Sequence, residues 1–314
     1  MNRQTLFASI SLGLSLSLTP ACSPGGPAQV PQLNLPGDKF YPESLGVAKD
    51  GTLYVGSLAT AQVVRFTPQS TTAEVFVAPG AVRSVAGVLV DDSESLLYLC
   101  DNDLSASNPG LPAVRSFRLA DGSAAASYPF PGPGFCNDLA LDGQKNLYVA
   151  DSAGKILRRP SGGSALAVWS SAPELAPSSP QGYGADGIVW DGKSSLYVNT
   201  FSDGRLLRLA INSDGSAGAT TPLTVTPALS SPDGMRLLDD GSLLLVEGAG
   251  RLTRLTVSGS AAAGTVLATG LNAPTSVVKY EKDAWLTEGQ LGHLFGSVAG
   301  PPSTPFQVRR VTLP

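Results

Sequence analysis

The stretch "SPDGMRLLDDGSLLLVE" (residues 231–247) decides the fold. Its apolar run at 235–238 is followed by Asp239, Asp240 and Gly241, and then by the apolar triplet 243–245. Two short apolar runs joined by a polar, glycine-containing turn read as the antiparallel strands of a hairpin. Pro232 and Asp233 stand at the mouth of the first strand. A proline cannot donate to a strand ladder, and a carboxylate is costly to bury. Asp233 is therefore either turn chemistry or a working group, and the stretch alone does not separate the two.

Five more segments follow the same plan: "PESLGVAKDGTLYVGS" (42–57), "RSVAGVLVDDSESLLYLCD" (83–101), "FCNDLALDGQKNLYVAD" (135–151), "GADGIVWDGKSSLYVNT" (184–200) and "APTSVVKYEKDAWLTE" (273–288). Several run on into a third strand, as in "KILRRP" (155–160) and "GRLTRLTV" (250–257). The triplet centres are Tyr54, Tyr98, Tyr148, Tyr197, Leu244 and Trp285, so the spacings are 44, 50, 49, 47 and 41 residues. An all-strand repeat in the mid-forties indicates a β-propeller with one four-stranded sheet per repeat. The expectation is all-β: one six-bladed β-propeller over residues 39–314, with "FQVRRVTLP" (306–314) as a late strand that helps close the ring.

The chain of 314 residues carries a net charge of −4, which excludes a basic nucleic-acid footprint and a polybasic membrane patch. Its 35 glycines and 25 prolines, without long apolar helical stripes, favour strand-and-turn architecture. At the N-terminus, Arg3 precedes the apolar run "LFASISLGLSLSL" (6–18), and Thr19 and Ala21 are small residues ahead of Cys22. This is read as a signal peptide over 1–21. Cleavage after Ala21 resembles the processing of a bacterial lipoprotein, in which Cys22 would be lipidated; plain signal-peptidase cleavage is the alternative. Export to the periplasm or cell envelope is expected, with a flexible linker over 22–38 and a monomeric product.

Counting back eleven places from each triplet centre gives Glu43, Gly87, Asn137, Asp186, Asp233 and Pro274. Four of these six positions carry an oxygen-bearing side chain just before apolar strand residues. The inner strands of a propeller converge on a central tunnel, so these four meet there. Three carboxylates and an amide in one place repel and raise a pKa unless a cation sits among them. Hard oxygen donors suit Ca²⁺, with Mg²⁺ or Mn²⁺ also fitting. One histidine and three cysteines make a Zn²⁺ site of Cys and His type a poor alternative.

These residues resemble the senescence-marker-protein, gluconolactonase and luciferin-regenerating-enzyme family, which includes regucalcin. The resemblance spans the mature propeller, and its specific part is four short motifs. "PES" places Glu43 where the family has a metal-ligand glutamate. "CNDLALD" places Asn137 at a substrate- or metal-contacting asparagine. "ADGIVWD" places Asp186 where the family has a ligand asparagine. "SPDGM" places Asp233 at the aspartate that is both metal ligand and proposed general base. The resemblance implies a metal-dependent lactonase. Two departures matter: Asp186 makes the site more acidic, and Phe135 stands where sugar-acid lactonases have an arginine. A less polar lactone or ester is therefore expected in place of gluconolactone.

On this reading the cation polarises a lactone or ester carbonyl, and Asp233 takes a proton from the attacking water. The rival is a non-catalytic exported propeller that binds a glycan or protein partner. It expects a tunnel mouth plugged by the long loops 101–114 or 170–184. His293 reads as structural. So do Asp101, Asn102, Asp151, Asn199, Glu247 and Glu288, which follow the triplets and suit blade-to-blade hydrogen bonding. Cys100 and Cys136 fall at the same face of adjacent blades, as a bridge that export permits or as two buried thiols.

Overall fold

Aspartates between the paired apolar runs turn the chain with their own side chains. In the structure, a computed structural model describing Met1 and residues 32–105 and 109–314, Asp50 Oδ1 accepts the Thr52 N–H at 2.9 Å. Asp142 Oδ1 accepts those of Gln144 and Asn146 at 2.9 Å each, and Asp240 Oδ1 that of Ser242 at 3.1 Å. Such side-chain turns favour a hairpin at each repeat. The expected signal peptide beyond Met1, and Cys22, lie outside the described residues.

The first strand, β1 (Leu33–Asn34), is short. The chain then builds one antiparallel meander from β2 (Pro42–Val47), β3 (Leu53–Ser57), β4 (Val63–Phe66) and β5 (Glu74–Val77). A second follows from β6 (Val85–Asp91), β7 (Leu96–Asp101), β8 (Ala113–Arg118) and β9 (Ala124–Pro129). The third contains β10 (Cys136–Leu141), β11 (Leu147–Asp151), β12 (Lys155–Arg159) and β13 (Ala167–Ser170). Next come β14 (Ala185–Trp190), β15 (Ser195–Thr200), β16 (Arg205–Ile211) and β17 (Ala217–Thr226). They share one sheet with β18 (Pro232–Leu237), β19 (Leu243–Glu247), β20 (Arg251–Ser258) and β21 (Ala261–Thr269). The last sheet holds β22 (Pro274–Tyr280), β23 (Asp283–Glu288) and β24 (Gln307–Thr312), with β1 on its outer edge. A four-residue helix, α1 (Leu291–Leu294), interrupts the run from β23 to β24.

This is an all-β propeller. The first strand of each meander touches the next around a closed ring: β2, β6, β10, β14, β18, β22 and back to β2. The repeat predicts six separate four-stranded sheets, but among the described residues four stand alone. The long outer strands β17 and β21 pair in parallel, residues 224–226 against 261–263, and join two meanders into one eight-stranded sheet.

The triplet centres earn their place by pairing across to the third strand. Tyr54 faces Arg65, Tyr148 faces Arg158, Tyr197 faces Arg208, Leu244 faces Arg254 and Trp285 faces Arg310. The Arg158 and Arg310 guanidinium groups lie over the Tyr148 and Trp285 rings, 5.7 and 5.4 Å from the centroids. Arginine stems thus cover the blade faces while their charged ends reach the edge. The apolar residues on either side of each centre fill core layers between blades, as Leu53 and Val55 do on either side of Tyr54.

The boundary expected at residue 38 is corrected by β1. Leu33 pairs with Val308 of β24, and Leu35 N–H donates to the Phe306 carbonyl at 2.8 Å. Leu33 and Leu35 are buried with Phe40, Phe306 and Val308. Two paired residues are too few to show strand alternation, which is why composition reads this segment as linker. Pairing the two ends of the described chain closes the ring and covers a sheet edge. Leu35→Ala is expected to cost about 2–4 kcal/mol in urea unfolding, as for a buried core leucine. A loss near zero would return the segment to linker.

Candidate functional site

In all six first strands the pairing with the second strand breaks at the same point. One extra residue enters there, which bends the strand and re-aims the side chains. The break holds Glu43, Ala86, Asn137, Asp186, Asp233 and Thr275. The count of eleven thus fails by one place at Gly87 and Pro274, because the second hairpin is one residue longer and the sixth one shorter. It holds at the four polar positions.

Those four line one cavity of about 430 Å³. All are buried, between 3% and 7% exposed. Close approach of neighbouring strands brings them together. A Cβ on Gly187 would fall 2.5 Å from the Asp233 carbonyl oxygen, and one on Gly87 would fall 2.4 Å from that of Asn137. Glycine permits this approach at these two positions, while Ser44 and Asp138 stand at the same place in the first and third breaks. Asn199 fastens the same junction: its Oδ1 accepts the Gly187 N–H at 3.2 Å, and its Nδ2 donates to the Asp233 carbonyl at 2.6 Å. Asn102 does likewise for Cys136, at 2.8 and 3.0 Å. A disulfide from Cys100 to Cys136, with Cα atoms 5.2 Å apart, holds the residue next to Asn137.

Asn137 Nδ2 donates to Asp186 Oδ2 at 3.0 Å and to Ser152 Oγ at 3.1 Å. The Asp186 and Asp233 carboxyl groups lie close enough to act on each other's charge, and Asp233 Oδ1 accepts the Gly234 N–H at 2.9 Å. Burial pushes the Asp186 carboxyl up to about 7, with the charge of Asp138 adding to it. Burial and then repulsion from Asp186 and Glu43 raise Asp233 well above the ordinary range. Glu43 is raised by burial and by Asp186 and Asp138, with Arg236 opposing. Burial and the neighbouring acids thus favour retention of protons within the cluster.

Sequence reasoning missed the ion pair beneath this cluster. Asp138 is 4% exposed, and its Oδ2 accepts from Arg236 Nη1 at 2.9 Å, linking β10 to β18. The signal was a lone arginine inside the apolar run "GMRLL" and a second acid beside Asn137. The residues after the triplets do hold structure. Asp101 pairs with Arg83, Asp151 accepts the Phe135 N–H, Glu247 pairs with Arg251, and Glu288 accepts the Asn272 N–H. Loops 101–114 and 170–184 contribute Leu104 and Tyr183 to the cavity wall, and α1 with its following turn contributes a third segment that the sequence did not announce. His293 is half-buried on α1, with Nδ1 2.9 Å from the Gly300 carbonyl.

The donor set suits a hard cation: every candidate ligand is an oxygen, and Asp186 Oδ1 is buried without a partner. Among the described residues no three Asp, Glu, His or Cys side chains are grouped closely enough to hold a metal ion. The close members are Asp186, Asp233 and the amide of Asn137.

No family model matches the sequence, and no characterised protein matches it in sequence. Solved structures do. Luciferin-regenerating enzyme is similar at a TM-score of 0.64 and 14% identity, covering 88% of this chain and 92% of that one. A proposed gluconolactonase is similar at 0.63 and 13%, covering 92% and 95%. Streptogramin B lyase is similar at 0.60 and 16%, covering 90% and 87%. These likenesses establish the propeller. Its use by differently named enzymes leaves the activity to the side chains.

A carboxyl with a raised pKa holds its proton more tightly in the folded protein than in the unfolded chain, so rising pH drives unfolding. For Asp186 the loss starts in the ordinary aspartate range and runs through about 7. In EDTA the melting temperature is expected to fall between pH 5 and pH 8, and Asp186→Asn should flatten part of that slope. Carboxylates held low by ion pairs, such as Asp91 and Asp283, act below about pH 4 and do not mask it. An unchanged melting temperature over this range would contradict the acidic cluster.

Proposed function

We propose that this chain is an exported six-bladed propeller that hydrolyses a lactone or related ester with the help of a divalent cation, Ca²⁺ being the best match to the donors. The observation that carries the reading is the meeting of Glu43, Asn137, Asp186 and Asp233, from four separate first strands, in one cavity. Asp186, Asp233 and Asn137 would hold the ion, and Glu43 must close on them to share it. The cation would supply Lewis-acid polarisation of the substrate carbonyl.

The chain's own residues do the rest. Asp233, once ionised, takes a proton from water as the new C–O bond forms, and returns one to the ring oxygen as the old bond breaks. Asn137 has both amide hydrogens committed to Ser152 and Asp186, so it presents its Oδ1 to the cavity as an acceptor. Ser152 is itself held by donating to the Ala185 carbonyl at 3.1 Å, which fixes that orientation. The Cys100–Cys136 disulfide supports an oxidising compartment and hence export.

The rival, a non-catalytic envelope protein, expects the long loops to plug the mouth; the placement of their Leu104 and Tyr183 in the cavity wall supports the enzyme reading. Hydrolysis of a lactone and ester panel is expected to disappear in EDTA, return with Ca²⁺, and fall about 10²-fold or more in Asp233→Asn. Activity that survives complete metal removal, or survives that substitution, would overturn the mechanism.

A further inference from the structure

The acidic end of this cavity has an apolar surround built from distant parts of the chain. Leu104 comes from the β7–β8 loop, Phe135 from the approach to β10, Tyr183 from the β13–β14 loop, Phe201 from the end of β15, and Leu291 and Phe295 from α1 and its turn. Among the described residues no lysine, arginine or histidine lines the cavity. Leu104, Tyr183 and Phe295 are 41%, 46% and 52% exposed, large hydrophobic side chains left at one mouth. Exposed apolar side chains gathered around a polar floor mark a binding surface. Tyr183 stands edge-on to Phe201, with centroids 6.3 Å apart, so this part of the wall is a packed aromatic face.

We infer that the substrate is an uncharged lactone or ester carrying an alkyl or aryl substituent several carbons long, which lies against this wall while its carbonyl reaches the acidic floor. The inference rests on the hydrolase reading and adds the substrate's chemistry. A sugar lactone presents hydroxyl groups on every face, and burying them against phenyl and leucyl side chains leaves them without partners. A carboxylate on the substituent finds no lysine, arginine or histidine among the described residues of the wall to pair with. An apolar substituent has neither cost, and a cavity of about 430 Å³ has room for it beside a five- or six-membered ring.

The test uses the full-length protein with Ca²⁺ and γ- and δ-lactones whose alkyl chains grow from one to seven carbons, with gluconolactone alongside. In parallel, the hydrolysis-resistant lactams with the same chains are titrated by calorimetry. Each methylene that enters the wall should raise kcat/KM about fourfold, until the chain outgrows the cavity, and should tighten lactam binding in step. Leu104→Ser and Phe295→Ser should flatten both series. Both side chains are substantially exposed, so these variants should fold.

A flat series, or gluconolactone as the best substrate, would overturn the inference while leaving the hydrolase reading intact. Chain-dependent lactam binding without hydrolysis of any lactone would overturn the hydrolase reading and uphold the wall as a binding site for apolar, uncharged rings. Lactams that fail to bind at any chain length, together with a flat lactone series, count against the wall.

Discussion

The break in register at the start of every first strand is the constraint on which the site depends. A propeller brings six strands to one axis, but a regular strand would bury alternate side chains between blades and aim few at the tunnel. The extra residue bends each strand where its neighbours come closest. Glu43, Asn137, Asp186 and Asp233 are the residues so turned. Gly87, Gly187 and Gly234 follow at the next place, where any Cβ would strike the adjoining strand. Ala86 and Thr275 complete the ring without entering the acid cluster, and the Thr275 hydroxyl is occupied by the Pro42 carbonyl and Thr287.

Convergence has an electrostatic cost that a structural role does not explain. Several buried carboxyl groups stand near one another, and the nearby cation, Arg236, is bonded to Asp138 and not to the cavity acids. Without a counter-ion the cluster survives by keeping protons, which is what the raised Asp186, Asp233 and Glu43 represent. Packed apolar residues at these positions would be at least as stable. That the acids stand at the strand breaks, while Ala86 fills an equivalent place, argues for a use of the charge.

Much of this was legible in the sequence because repetition aligns what one segment leaves ambiguous. Asp233 alone is turn chemistry or a working residue; the common offset with Glu43, Asn137 and Asp186 separates the two. The same offset slipped at Gly87 and Pro274, because hairpin length varies and the count is anchored beyond the turn. The β1 strand was illegible for another reason: Leu33 and Leu35 lie between Pro31 and Pro36, and their partners are some 270 residues away in β24. The fusion of two meanders through β17 and β21 was hidden likewise, since pairing between outer strands leaves no periodic trace. The Asp138–Arg236 pair and the α1 segment were visible as residues but not as neighbours, because tertiary approach alone brings them to the tunnel.

Floor and wall come from different parts of the repeat, and this separates the chemistry from its selectivity. The floor lies on first strands, fixed by ring closure, by Asn199 and Asn102 and by the disulfide at Cys136. Much of the wall comes from connections between strands, where length and side chains can change without disturbing the ring. The likeness to luciferin-regenerating enzyme and to streptogramin B lyase, at 14% and 16% identity, is a likeness of fold. Phe135 marks the boundary between the two. It sits one residue before the disulfide and two before Asn137, its N–H is held by Asp151 Oδ1 at 2.9 Å, and its ring lines the cavity. A backbone fixed by the floor thereby presents a side chain that belongs to the wall. In the proposed hydrolase, Phe135 would place the substrate relative to the acids as much as the acids themselves would.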